Sequence, residues 1–185
     1  MNLMPKRCKS KGRRGAELLE FTLALLPLLA MIIVLLDASW AIFVKSTLAF
    51  AVRTGVRQGI TITGTQATAA GSNLTAMVKA TVQRNALGLL GSGPLDPKLA
   101  VVKVNYFQPP VPGSNAAAVD VSAQADGNKP LNILQVSIQG FSLRALLPRI
   151  FSWKTPVDGA GTSIAAVAAD LIEPSRDPPP KGAAP

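Results

Sequence analysis

Two residue types that support most metal and covalent chemistry are nearly missing from this chain of 185 residues. It has no histidine, and its one cysteine, Cys8, lies near the amino terminus. Histidine is the commonest metal ligand and a frequent general base near neutral pH, and the cysteine thiolate is a common nucleophile and zinc ligand. We therefore expect no zinc or thiol chemistry and no metal or other cofactor. Because Cys8 is the only cysteine, we also expect no disulfide in the chain that follows it.

Acidic residues are scarce and scattered. The chain has ten of them against 19 basic residues. Apart from Glu17 and Glu20, no two acids have a spacing that suggests paired acid–base catalysis or metal binding. The turn Gly91-Ser-Gly93 is not followed by the Lys-Ser or Lys-Thr pair of a phosphate-binding loop. These absences predict a protein that is not an enzyme.

Positive charge is concentrated at the start of the chain. Residues 1–15 contain six basic residues and no acid, which leaves 13 basic against ten acidic residues, a net charge of +3, in residues 16–185. No basic patch interleaved with aromatic residues follows, so we expect no nucleic-acid partner. The positive-inside rule instead predicts that this leader stays in the cytoplasm while the chain beyond the apolar run crosses the membrane.

A membrane-length apolar run follows the leader. Residues 18–36 are interrupted only by Glu20, and no charged residue occurs between Phe21 and Leu36. At ~1.5 Å per residue this run is long enough for a tilted span, and it exceeds the core of about 7–15 residues in a secretory signal. A signal cleaved near Ser39-Trp40-Ala41 is the competing interpretation.

Three residues mark this run and its outer end. Pro27 predicts a kink, which is either incidental or a local loosening used when subunits pack. Asp37 ends the run and is expected at the periplasmic boundary, with a contact between subunits as the alternative. Trp40 has the amphipathic ring that is typical of the outer headgroup region.

The helix is predicted to continue past the membrane to about Gln58. Apolar residues recur every four positions along one face: Leu48, Val52 and Val56. Arg53 and Arg57 share a neighbouring face, where they are either solvated or packed on the domain, with contact to a partner or to lipid as the other alternative. Gly55 and Gly59 weaken the end of the helix.

The start of this helix resembles a known family. Gly15-x-x-x-x-Glu20-Phe21 after a basic leader is similar to the cleavage motif of prepilins, and especially of TadE-like pseudopilins of the tight-adherence (Flp/Tad, type IVb) pilus assembly system. The continuation from Phe21 through Leu-Pro27, and Ala51-Val-Arg53-Thr-Gly55-Val-Arg57, are similar to the same family. The resemblance covers about residues 12–59.

The resemblance implies a function and a set of partners. A prepilin peptidase would cut between Gly15 and Ala16, and Glu20 and Phe21 would serve its recognition or the docking of subunits. The chain would be a minor pilin-like subunit in the inner membrane. Its partners would be the peptidase, other pilin-like subunits, the assembly platform and the lipid bilayer. A single-span sensor or binding protein with a periplasmic ligand-binding domain is the alternative.

The fold class expected for the whole chain is α+β. We expect a leader (1–15), a membrane helix and stalk (16–59), a periplasmic domain (60–173) and a disordered, Pro-rich tail (174–185). Within the domain, a second helix is capped at Ser72 or Asn73 and runs to about Leu90, and an antiparallel sheet has about 3–4 strands. The segments expected are a loop at 60–71, strands at 99–107, 118–125 and 134–140, a short apolar element at 143–151, and a strand or an Ala-rich helix at 162–172.

Overall fold

The computed structural model describes residues 13–93, 96–114, 116–143, 162–174 and 177–182. Its architecture is the α+β class predicted from the sequence, with a long amino-terminal helix, a further helix and a four-stranded antiparallel sheet. Residues 1–12, and the predicted apolar element beyond Leu143, lie outside the described residues.

The first helix, α1, runs from Arg13 to Thr61 and contains 49 residues. At ~1.5 Å per residue its length is about 73 Å. It is continuous through Pro27 and ends three residues beyond the predicted Gln58. Its first buried core residue is Val44, so about three fifths of α1 lies outside the packed domain.

A short helix, α2, spans Gly64–Ala69, where the sequence analysis predicted a loop. The Thr63 hydroxyl accepts a hydrogen bond from the Gln66 amide at 3.4 Å, and the Thr63 amide donates to Gln66 Oε1 at 3.1 Å. This reciprocal capping box satisfies two donors that would otherwise be unpaired at a helix start. The Thr-x-x-Gln spacing is therefore the physical reason for the difference.

The next helix, α3, spans Leu74–Asn85 and begins at the predicted cap, where Asn73 Oδ1 accepts from the Ala76 amide at 2.8 Å. It ends five residues before the predicted end. Leu87 and Gly88 both have positive φ angles, of 50° and 80°. That left-handed backbone ends the α-helix.

The sheet contains β1 (Val102–Gln108), β2 (Val119–Asp120), β3 (Ile133–Leu143) and β4 (Thr162–Leu171) in the order β2-β1-β3-β4. All neighbouring strands are antiparallel. The segment at 162–172 is thus mostly strand and not helix. A 3₁₀ helix at Pro97–Val101 replaces the first residues of the predicted strand at 99–107.

The predicted strand at 118–125 is reduced to two residues. Asp120 Oδ1 accepts a hydrogen bond from the Ser122 amide at 2.8 Å. A side chain that bonds the backbone two residues onward forms an Asx turn, which competes with strand pairing. The Ser122 hydroxyl then accepts from the Tyr106 amide at 2.8 Å, so the turn remains fixed to β1.

The core lies between the last third of α1, α3 and one face of the sheet. Its largest fully buried side chains come from all three layers and include Leu48, Leu74, Tyr106, Leu134 and Ile138. The predicted apolar stripe of α1 is the face that is buried there, with Leu48 and Val52 fully buried. Burial of this stripe on α3 and the sheet anchors the domain to the helix.

Gly55 and Gly59 are contact points of this core. A Cβ on Gly55 would lie 2.5 Å from Val82 Cγ2, and a Cβ on Gly59 would lie 2.5 Å from Leu134 Cδ2 and 2.8 Å from Val78 Cγ2. These distances are shorter than van der Waals contact, so only glycine permits the close approach of α1 to α3 and β3. The packing outweighs the weak helix propensity that the sequence analysis emphasised.

Residues 177–182 differ from the disordered tail expected from their composition. The Leu74 amide donates to the Pro180 carbonyl at 2.9 Å, and the Thr75 amide donates to the Lys181 carbonyl at 3.2 Å. These two amides belong to the first turn of α3, where a helix leaves its donors unpaired. The Lys181 ammonium also donates to the Ser122 and Gln124 carbonyls. The segment therefore caps α3 and joins it to the turn after β2.

Candidate functional site

The candidate site is the part of α1 that precedes the domain, together with its junction with the domain. Gly15 and Ala16 lie in the first turn of α1, and both are exposed. A Cβ added to Gly15 would meet no heavy atom within 4 Å. The predicted processing position is therefore open to solvent on a helix end, away from the packed domain.

Glu20 and Phe21 lie one turn further along α1. Glu20 is exposed, and Phe21 keeps 64% of its accessible surface. The four-residue spacing of Ala16 and Glu20 places them on the same face of the helix, with an axial rise of about 6 Å. An amine created at Ala16 by cleavage would thus lie within one turn of the Glu20 carboxylate.

An uninterrupted apolar surface follows these two residues. The mean hydropathy of the most apolar 18-residue window of α1 is 2.6, and no residue of that window is buried. Large side chains with about half or more of their surface exposed lie on all sides: Leu18, Leu19, Leu23, Leu26, Leu28, Leu29, Met31, Val34, Leu35 and Leu36. A helix that is apolar on every side needs an apolar environment. By length and composition, α1 is able to cross a membrane.

Pro27 lies in the middle of this surface and is exposed. Its ring removes one backbone donor, yet the helix continues on both sides of it. The structure thus places Pro27 on the outward-facing surface of the apolar segment, away from every core contact.

Asp37 and Trp40 lie where the apolar surface meets the domain. The spacings of Asp37, Val44 and Leu48 put all three on one face of α1, and Asp37 is half-buried and interacts within the chain. Trp40 stacks on Phe43 with ring centroids 5.7 Å apart. Trp40 and Val44 also line a groove with Leu89, Lys98 and Phe141. This junction was visible in the sequence only through Asp37 and Trp40.

Arg53 and Arg57 are exposed on the part of α1 that carries the domain. Within the described ranges neither guanidinium forms an ion pair with a carboxylate. Both side chains are therefore exposed within a single chain, and contact with a partner or with lipid stays a prediction. The structure separates the pair from Glu20 by more than thirty residues of helix, ~50 Å at 1.5 Å per residue.

Lys181 and Asp120 form a second polar group that the sequence analysis did not identify. The Ser122 side chain and the Ser122 amide, with a smaller contribution from the Lys181 charge, hold the pKa of Asp120 below the ordinary value of an aspartate. Lys181 Nζ lies 5.6 Å from the centroid of the Tyr106 ring. The group lies at the far end of the domain from Trp40. Its contacts hold the 177–182 segment on the domain, and we assign it a structural role.

An exposed apolar helix joined to a packed α+β domain fits a single-pass membrane protein. Residues 15–57 of this chain match the family model described as TadE-like protein. This match confirms the resemblance predicted from the Gly15, Glu20 and Phe21 pattern. It points to a part in tight-adherence pilus assembly, in association with the assembly machinery and the membrane. No curated protein and no solved structure matches the chain.

Proposed function

We propose that the protein is a minor pilin-like subunit, a pseudopilin, that acts in tight-adherence pilus assembly without catalysing a reaction. The observation that carries this proposal is that the two parts of the continuous helix α1 have different surfaces. Its first part is apolar on all sides and begins with Gly15 and Glu20 inside the TadE-like segment. Its last part anchors a compact domain. A membrane helix attached to a globular head is the organisation that a pilin-like subunit requires.

Processing is proposed at the Gly15–Ala16 peptide bond. A peptidase has to admit the backbone on both sides of this bond, and the open surroundings of Gly15 leave room for that approach. Glycine also weakens a helix by about 1 kcal/mol relative to alanine, so the first turn of α1 can unwind at low cost. Hydrolysis would release residues 1–15 and leave an amine on Ala16.

The pairing of charges is the proposed basis of subunit register. The new amine at Ala16 has an ordinary pKa of about 7.7–8.0 and is largely protonated near neutral pH. In the membrane, an unpaired amine or carboxylate is costly, so each favours a partner of opposite charge. Glu20 of the same chain lies one turn away, whereas Glu20 of a neighbour becomes available when two helices pack with an axial offset. Subunits in the wrong register would lose the second pairing.

The proposed topology places the domain outside the cytoplasm. The basic leader favours a cytoplasmic amino terminus, and the domain follows α1 on the other side of the inner membrane. In this arrangement the exposed apolar side chains of residues 18–36 contact lipid or neighbouring apolar helices. The domain is large compared with the major pilin of the system, which is far shorter. This difference in size favours a minor subunit that acts at a tip, at a base or in priming.

The test compares two glutamates of the same helix turn. Glu17 and Glu20 are both exposed, and only Glu20 occupies the motif position. We expect Glu20→Ala to be stable and cleaved but unable to support pilus assembly, and Glu20→Asp to recover little. Glu17→Ala is the matched control and should assemble normally. A photo-crosslinking residue at Leu26, which is 73% exposed, reports contacts with pilin-like partners.

The outcomes distinguish a role of Glu20 in the docking of subunits from a role in recognition by the peptidase. Loss of the Leu26 crosslinks in Glu20→Ala, with crosslinks retained in Glu17→Ala, supports the docking role. A Glu20→Ala protein that is cleaved, stable and fully competent for assembly would contradict it.

The alternative function, a single-span sensor or binding protein, requires neither cleavage nor Glu20. The depression beside Gly64–Ala69 is a shallow one that is open to solvent, and the one beside Trp40 is a partly open groove, so neither is an enclosed ligand site.

A further inference from the structure

The end of the domain nearest the apolar segment has a surface that the proposed function does not use. We define the basal patch as Trp40, Phe43, Leu87, Leu89, Lys98 and Phe141. We propose that the basal patch lies in the outer headgroup layer of the bilayer that α1 crosses, so that the domain is seated on the membrane. This proposal rests on the membrane insertion of α1 in the proposed function.

The rise of the helix gives the height of this patch above the hydrocarbon. The uncharged run ends at Leu36, and Trp40 lies four residues later, at a rise of about 6 Å. A bilayer has ~30 Å of hydrocarbon within ~40–45 Å in total, so each headgroup layer is about 5–8 Å thick. Trp40 therefore lies at headgroup depth when the run spans the hydrocarbon.

Other elements of the domain reach the same height. Leu89, Lys98 and Phe141 line one groove with Trp40, although they belong to three different segments of the domain. Trp40 stacks on Phe43, which is 46% exposed. Because Leu89, Lys98 and Phe141 line one groove with Trp40, they lie at about the level of Trp40 along α1. Aromatic residues and lysines with apolar stems are the residues that favour a membrane interface.

Leu87 extends the patch beyond the groove. It precedes Gly88, which lines the groove, and it is 70% exposed. Its φ angle of 50° is uncommon for a leucine. Leu131 has a φ angle of 71° and is 54% exposed at the opposite end of the domain, so the conformation alone carries no assignment. Leu87 differs from Leu131 in that it directly precedes a residue of the groove that Trp40 lines, and this position is the observation used here.

The acidic residues of the domain are concentrated at the end opposite the basal patch. Lys98 belongs to the basal patch, and Asp96, two residues earlier in the chain, is packed against Gly91. The other described acids beyond Thr61 lie towards the far end: Asp120, Asp126, Asp170, Glu173 and Asp177. This far end is at the level of Gly59, which contacts Leu134, about 28 Å along α1 from Trp40. A surface of phosphate headgroups favours the end that carries fewer acids.

The experiment places spin labels at Leu87 and Leu131, two leucines with positive φ angles. The full chain, in a Cys8→Ser background, is reconstituted in vesicles of phosphatidylethanolamine and phosphatidylglycerol. Leu87→Cys and Leu131→Cys are labelled separately, and a third label at Leu29→Cys reports the apolar segment. The accessibility of each label to oxygen and to a water-soluble nickel complex gives its depth.

We expect the Leu87 label to exclude the nickel complex several-fold more strongly than the Leu131 label, with a depth in the headgroup layer. Equal and fully aqueous accessibilities at positions 87 and 131, with the Leu29 label in hydrocarbon, would overturn the seating of the domain and leave membrane insertion intact. An aqueous Leu29 label would overturn the insertion itself, and the basal patch proposal with it.

Discussion

The two parts of α1 are made from one continuous helix, yet they meet opposite environments. Between Ala16 and Phe43 the exposed apolar side chains face every direction, and none belongs to the core. Between Val44 and Thr61 a single apolar stripe is buried, Gly55 and Gly59 contact neighbouring elements, and Arg53 and Arg57 face solvent. The comparison shows that helix periodicity, and not helix length, separates a membrane segment from a domain segment.

The largest effects are expected when an arginine is introduced into either of the two parts of α1. Val52 is fully buried in the core, whereas Leu29 is 52% exposed in the apolar segment. Val52→Arg leaves an unpaired buried charge and should reduce the free energy of unfolding by about 3–5 kcal/mol. Leu29→Arg should leave the domain folded and impair membrane insertion, at a cost of about 2.5–3.5 kcal/mol near the helix centre.

Each variant serves as the control for the other. Denaturant unfolding followed by near-ultraviolet circular dichroism measures the domain, and carbonate extraction of membranes measures insertion. The comparison would fail if Leu29→Arg destabilised the domain as strongly as Val52→Arg, because the two parts of α1 would then share one packing environment.

Removal of the carboxyl-terminal segment tests how far the domain extends along the chain. Ending the chain at Pro174 removes the carbonyls of Pro180 and Lys181 that accept from Leu74 and Thr75. At about 1 kcal/mol for each hydrogen bond, these two bonds alone contribute about 2 kcal/mol, so the domain should lose at least about this amount, and insertion should not change. A chain that ends at Gly182 keeps these contacts and is the control. Thermal unfolding curves that coincide for the two truncations would show that the segment does not stabilise the domain.

The two glycine positions of α1 give a matched pair of substitutions. Gly59→Ala places a Cβ 2.5 Å from Leu134 Cδ2, whereas the same change at Gly15 meets no atom within 4 Å. Overpacking costs about 1–3 kcal/mol, and alanine regains about 1 kcal/mol of helix propensity. We therefore expect Gly59→Ala to lower the domain stability by about 1 kcal/mol, and Gly15→Ala to leave it unchanged. An increase in stability for Gly59→Ala in denaturant titration would contradict the close packing.

The smallest effect concerns the Asp120 turn, which belongs only to the domain. Its hydrogen bonds with Ser122 lower the pKa of Asp120 in the folded state. The stabilisation is therefore present above the unfolded pKa of about 3.9 and is lost as the pH falls below it through the folded value. Asp120→Asn should remove this part of the pH dependence while membrane insertion stays constant. Identical stability profiles between pH 5 and pH 2 for the variant and the native chain would rule out the contribution.

Patterns local in sequence predicted much of the fold. The apolar run, the Asn73 cap and the alternation of residues 134–138 each depend on residues of a single helix or strand, and each has its predicted structure. The TadE-like segment was recognised in the same way, from Gly15, Glu20 and the arginines that follow. The roles of those residues remain predictions.

Contacts between distant residues set the parts that were not predicted. Gly55 and Gly59 are weak helix formers, and only the positions of Val78, Val82 and Leu134 reveal why glycine fits there. Proline-rich composition indicates disorder, but the Pro180 carbonyl still accepts a hydrogen bond from a helix start 106 residues earlier. The basal patch combines segments that lie far apart in sequence.

The measurement that tests the central claim most directly is the intact mass of the protein from the membrane fraction of cells that contain the peptidase. We predict a chain that begins at Ala16, and a Gly15→Ala variant that keeps residues 1–15 because its Cβ obstructs the peptidase. A native chain that retains residues 1–15, or one cut near Ser39-Trp40-Ala41, would contradict the pseudopilin assignment.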